Sequence, residues 1–90
     1  MSIAEIKVVG VDEIRTHAIG QKNSMLKVYF ELSRPPTTEW KTFFEKRNIG
    51  TMEVDGRHIV VEALSSEIPE KLVEAQMEVA KTNQKFLEHV

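Results

Sequence analysis

The chain of 90 residues has no cysteine. That excludes a disulfide framework, a thiolate-held zinc and a cysteine nucleophile, and it fits a reducing compartment. Glycine is sparse, at four residues, and the four are scattered, so no loop is rich enough in glycine to cradle a phosphate. No serine lies in a Gly-x-Ser-x-Gly elbow. No apolar run approaches the ~20 residues that span a bilayer. The first residues lack the basic start and continuous apolar stretch of a signal peptide. A cytoplasmic, soluble protein without a membrane contact is therefore expected. A strong excess of basic charge is also missing: 12 Lys and Arg stand against 14 Asp and Glu, for a net charge of −2. Phosphate attraction dominates nucleic-acid affinity, so this balance argues against a dedicated nucleic-acid binder.

What is present is an ordinary folded composition, 41% hydrophobic and 29% charged. Such a chain buries enough apolar surface to offset chain entropy. Its length predicts a single domain over residues 1–90. A domain this small has little stability to spare, and association with a second subunit is a natural way to gain more. Basic residues outnumber acidic ones before Ile49, and the reverse holds after it. Such asymmetry can favour head-to-tail or subunit contacts, but a solvated surface of uneven composition is the commoner cause.

The strongest local signal is Asp55-Gly56, set between two strand-like runs from Met52 to Val61. A two-residue primed turn needs positive φ, which this pair tolerates, so a hairpin with Asp55-Gly56 at its tip is expected. Alternation then sends Met52, Ile59 and Val61 to one face and Glu53, His58, Val60 and Glu62 to the other. Met25 to Leu32 alternates most clearly. Leu26, Val28, Phe30 and Leu32 face one way, and Met25, Lys27, Tyr29 and Glu31 the other. One buried and one wet face is the pattern of an antiparallel sheet covered on a single side. Ile3 to Ile14 reads as a first strand whose phase breaks at Val9-Gly10-Val11, the mark of a bulge. Residues 15–23 read as a loop.

Arg34-Pro35-Pro36 ends the second strand, because proline cannot donate to a ladder. Thr37 or Thr38 then caps a helix bearing Trp40, Phe43 and Phe44 on one stripe. Asn48-Ile49-Gly50 stops it. A second, longer helix starts near Ser65-Ser66 and Pro69. Ile68, Leu72, Ala75, Val79, Asn83, Phe86 and Val90 form its first stripe, and Val73, Met77, Ala80 and Leu87 a second one beside it. Packing on one sheet requires a stripe of about 100°, so the second stripe exceeds that need.

The fold expected is α+β: a two-layer sandwich with a four-stranded, mainly antiparallel sheet and two helices on one face, in the order β-β-α-β-β-α. Strand order stays open; the connection through the first helix is compatible with a split β-α-β arrangement that has the first strand in the middle. The expected core is Leu26, Val28, Phe30, Trp40, Phe43 or Phe44, Ile59, Val61, Leu72, Ala75 and Val79.

No motif names a chemistry, a catalytic residue, a cofactor or a metal. The function best suited to these patterns is a non-enzymatic interaction or regulatory module acting as a homodimer, with Val73, Met77, Ala80 and Leu87 in the contact. Two alternatives stand beside it. One is a nucleic-acid-binding accessory protein using the open sheet face, where Lys27, Tyr29, Glu53 and His58 form a polar surface with one stacking aromatic. The other is an enzyme with a site at a subunit boundary. His58 is expected opposite Glu53 across the hairpin, a pair that suits acid–base work but more often decorates a solvated sheet face.

Overall fold

The computed structural model describes residues 5–20 and 25–88, with side chains as far as residue 86. Five strands and two helices follow in the order β1 (Val8–Val11), β2 (His17–Ala18), β3 (Met25–Leu32), α1 (Thr38–Arg47), β4 (Glu53–Asp55), β5 (His58–Leu64) and α2 (Ile68–Glu88). A 3-10 turn over Ser65–Glu67 leads into α2. The strands form one antiparallel sheet in the order β1-β3-β5-β4, with β2 continuing beside β3. Both helices pack on the face that carries Phe30, which is the α+β architecture expected.

The strand order, left open by the sequence, is settled here. A split β-α-β unit is present: β3 and β4 run parallel, are joined through α1, and have β5 inserted between them. The first strand lies at the edge rather than in the middle. β3 and β5 are the longest strands, and they take the centre, where both edges are paired. β1 is short and carries the expected bulge. Val8 faces Leu32 and Gly10 faces Glu31, which leaves Val9 as the extra residue, and an irregular strand suits an edge.

The β3–β5 register places Phe30 opposite Ile59 and Val28 opposite Val61. Both Phe30 and Ile59 are fully buried, so the phase read from alternation is correct. Trp40 and Phe44 come down from α1, their rings stacked at 5.3 Å, and Ala75 and Val79 come from α2. Of the alternatives Phe43 and Phe44, it is Phe44 that enters the core. Phe43 is half-buried and meets Phe86 edge-on. Leu26 and Leu72, expected inside, are half-buried at the core's margin.

Thr37 caps α1 as read, its Oγ1 accepting from the Trp40 N–H at 3.2 Å. Asn48 closes the helix, its Nδ2 donating to the Phe44 carbonyl. A partly buried polar relay ties three segments together. The Trp40 indole N–H donates to Asn83 Oδ1 at 2.9 Å, and Asn83 Nδ2 donates to the Ile6 carbonyl at 2.8 Å.

Two local expectations are corrected. The hairpin closes on the Asp55–His58 pair, so its turn is Gly56-Arg57 and not Asp55-Gly56. Gly56 has φ +60 and occupies the first central position, where a primed turn takes glycine. Arg57 is drawn to the end of β3: its carbonyl accepts from the Leu32 N–H, and its guanidinium donates to the Leu32 carbonyl. Each pairing partner moves by two residues, so the faces are preserved. The expected loop over residues 15–23 also contains β2, where His17 pairs with Lys27 and Ala18 with Leu26.

Candidate functional site

The sheet face away from the helices is built from alternate residues of three strands. β3 supplies Lys27, Tyr29 and Glu31, β5 supplies His58, Val60 and Glu62, and β4 supplies Glu53 and Asp55. Alternation predicts that this face is wet, yet Tyr29, His58 and Val60 are each less than a tenth exposed. The reason is the chain between β1 and β2. Asp12 N–H donates to the Tyr29 carbonyl at 2.7 Å, and Tyr29 N–H donates to Thr16 Oγ1 at 3.1 Å. Asp12 also closes a local turn, its Oδ1 accepting from Arg15 N–H and its carbonyl from Thr16 N–H.

The second oxygen of that carboxylate reaches across the sheet. His58 Nε2 lies 2.9 Å from Asp12 Oδ2. A carboxylate only accepts, so Nε2 carries the proton in this bond. The His58 bond and the Arg15 N–H hold Asp12 below its ordinary value of 3.8, against the opposing pull of partial burial. Tyr29 stands between two imidazoles, edge-on to His58 at 5.8 Å and tilted against His17 at 6.1 Å. His17 Nδ1 is tied to the Arg15 carbonyl, and Lys27 Nζ lies 6.0 Å from the Tyr29 ring centre.

This geometry corrects the expected His58–Glu53 pair. Glu53 faces Val60 and is exposed, Asp55 faces His58, and the partner that binds His58 is Asp12. Lys27, Tyr29 and His58 are brought together; Glu53 is not part of that group. Asp12 lies 46 residues from His58, and strand periodicity contains no sign of that contact. Among the described residues, no three His, Asp or Glu side chains stand where they could hold a metal ion. The Asp12–His58 pair acts as a clasp that holds the loop on the sheet. Tyr29 is left less than a tenth exposed, with an imidazole on either side of it.

The second surface is the far side of α2. α1 lies along α2 through Arg47–Glu78 at 3.4 Å, Trp40–Asn83 and Phe43–Phe86. The second apolar stripe points away from those contacts. Val73 and Met77 are each 52% exposed, and Ala80 is exposed. Leu87, expected on the same stripe, lies outside the residues whose side chains are described. Sequence reading missed Ile49, which was taken only as part of a helix stop. It is 80% exposed beyond the C-terminal end of α1.

Beside these residues lies a groove of about 620 Å³. The segment before β4, the outer edge of β5 and the Lys71–Glu78 stretch of α2 form its walls, with Met77 among them. It exists because β4 is only three residues long and pairs with β5 no further than Val60. The end of that open edge is partly closed, since the Leu64 N–H is taken by the Glu67 carboxylate at 2.9 Å. No known protein family, no curated protein and no solved structure matches this chain. Among the described residues, no helix is long and apolar enough to cross a membrane.

Proposed function

We propose that this protein is a non-enzymatic interaction module that works as a homodimer through the far side of α2. The observation that carries this reading is the exposure of Val73 and Met77, one helical turn apart, on a helix whose other apolar stripe already fills the core. Exposed apolar residues standing singly are common, but a cluster that includes Ile49 and borders a groove is the mark of a contact surface. The charge order of α2 supports a second copy as the occupant. Glu70 and Glu74 lie towards its start, and Lys81 and Lys85 lie later. Two such helices packed antiparallel about Met77 bring Glu70 and Glu74 of one towards Lys81 and Lys85 of the other, and a two-fold contact uses each patch twice.

Met77→Glu tests the reading. It places two carboxylates at the centre of a symmetric contact, and burying them unpaired is strongly unfavourable. Sedimentation at micromolar concentration is expected to show a wild-type dimer and a folded monomeric variant. Ile14→Asp serves as the control, because Ile14 is 97% exposed on the opposite edge of the molecule, in the loop between β1 and β2. A monomeric wild type, or a dimer dispersed by Ile14→Asp and untouched by Met77→Glu, refutes the proposal.

A further inference from the structure

We infer that the groove at the outer edge of β5 receives the Lys46–Ile49 corner of a second copy of this chain, and that the exchange is reciprocal. This rests on the homodimer reading and names the parts that interlock. The groove and its occupant differ in chemistry in a complementary way. Four carboxylates line the groove, from Glu53, Glu62, Glu74 and Glu78, with two ammonium groups from Lys27 and Lys71. Glu78 is engaged by Arg47 and Lys81, and Glu74 by Lys71. Glu53 and Glu62 make no ion pair among the described residues, and neither does Lys27, which lines the groove opposite Glu62 on β3, so the lining groups without an ion pair carry a small acidic excess.

The corner that follows α1 offers the opposite. Ile49 projects into solvent at 80% exposure, and Lys46, exposed three residues before it, makes no ion pair among the described residues. Gly50, with φ +79, turns the chain directly after Ile49 and sets it out as a knob. Knob and groove are neighbours, since Asn48 and Gly50, on either side of Ile49, line the groove themselves. A knob beside its own hole cannot fill it, but across a two-fold axis each copy offers its knob to the other's hole. In that arrangement Ile49 covers Met77 of the partner subunit, and Lys46 approaches the carboxylates of Glu53 and Glu62. The open stretch of β5 is shielded from pairing with other chains by the same contact.

Charge exchange tests the inference. Lys46→Glu and Glu62→Lys are each expected to weaken self-association by about tenfold or more, a loss of ~1.4 kcal/mol. The double variant is expected to recover most of that loss, because each interface then holds the same pair reversed. Ile49→Asp is expected to disperse the dimer as Met77→Glu does. All four positions are exposed or at a groove wall, and far-ultraviolet circular dichroism at each concentration confirms folding. A dimer dispersed by Met77→Glu but indifferent to Ile49→Asp and to both charge reversals overturns the groove assignment and leaves the homodimer standing. Losses from the two reversals that add rather than cancel overturn it as well. A monomeric wild type overturns both.

Discussion

Asn83→Ala tests the polar relay that joins α1, α2 and the segment before β1. Asn83 lies on a helical stripe that is otherwise apolar, and its side-chain amide is used at both ends. Removing it leaves the Trp40 indole N–H and the Ile6 carbonyl without those partners. Trp40 is 2% exposed and Ile6 7%, so water reaches the vacated space poorly. A buried polar group left unsatisfied costs about 1–3 kcal/mol, and two of them bring the expected loss to roughly 2–6 kcal/mol. A domain of this length has about 5–13 kcal/mol in total, so the variant should remain folded at 25 °C and melt well below the wild type. Urea unfolding followed by circular dichroism measures the loss. A double-mutant cycle with Trp40→Phe isolates the indole bond, because Asn83→Ala should cost about 1 kcal/mol less when that donor is already gone. A loss below about 0.5 kcal/mol for Asn83→Ala, or strict additivity in the cycle, refutes the relay as a stabilising element.

Two further outcomes test the hairpin and the clasp. Gly56→Val should destabilise the fold by about 1–3 kcal/mol through backbone strain, since φ is +60 while an added Cβ meets no atom within 4 Å; an unchanged melting temperature counts against the primed turn. Asp12 is held below its ordinary value of 3.8, so its contribution is present above that value and is lost as the pH falls through the depressed one. The stability gap between wild type and Asp12→Asn should therefore close as the solution is acidified below pH 3.8, and a gap that stays constant or widens there refutes the clasp.

The fold was legible where a physical period was strong. β3 alternates for its whole length, so Phe30 and Val28 could be assigned to the core without a structure, and the stop signals around Pro35-Pro36 and Asn48-Gly50 bounded α1. The hairpin faces also survived an error in the turn. Arg57 is bound to the end of β3, which shifts the tip by one residue and each partner by two. The strand order was not legible, because it depends on which strands are paired on both edges rather than on any local pattern. β2 was missed for a similar reason: two residues carry no period, and only the edge of β3 makes a strand of them.

The limits of alternation also decide between the two surfaces. A period of two tells which residues share a face, but not whether another segment lies over it. Here the bulge at Val9 and the turn closed by Asp12 and Thr16 accompany the chain as it passes from the edge to the back of the sheet, where Asp12 meets His58. Around Tyr29 and His58 the face that looked open to a ligand is covered by the protein's own chain, and the tyrosine ring is held between two imidazoles. Helical periodicity fails in the opposite direction. It identified a second apolar stripe on α2 but not its cover, and α1 turns out to lie on the other flank, against Glu78 and Phe86. Exposed apolar surface therefore sits on α2 and at Ile49, beside the groove, and in the proposed dimer the second copy would bring an apolar knob and a further basic side chain to it.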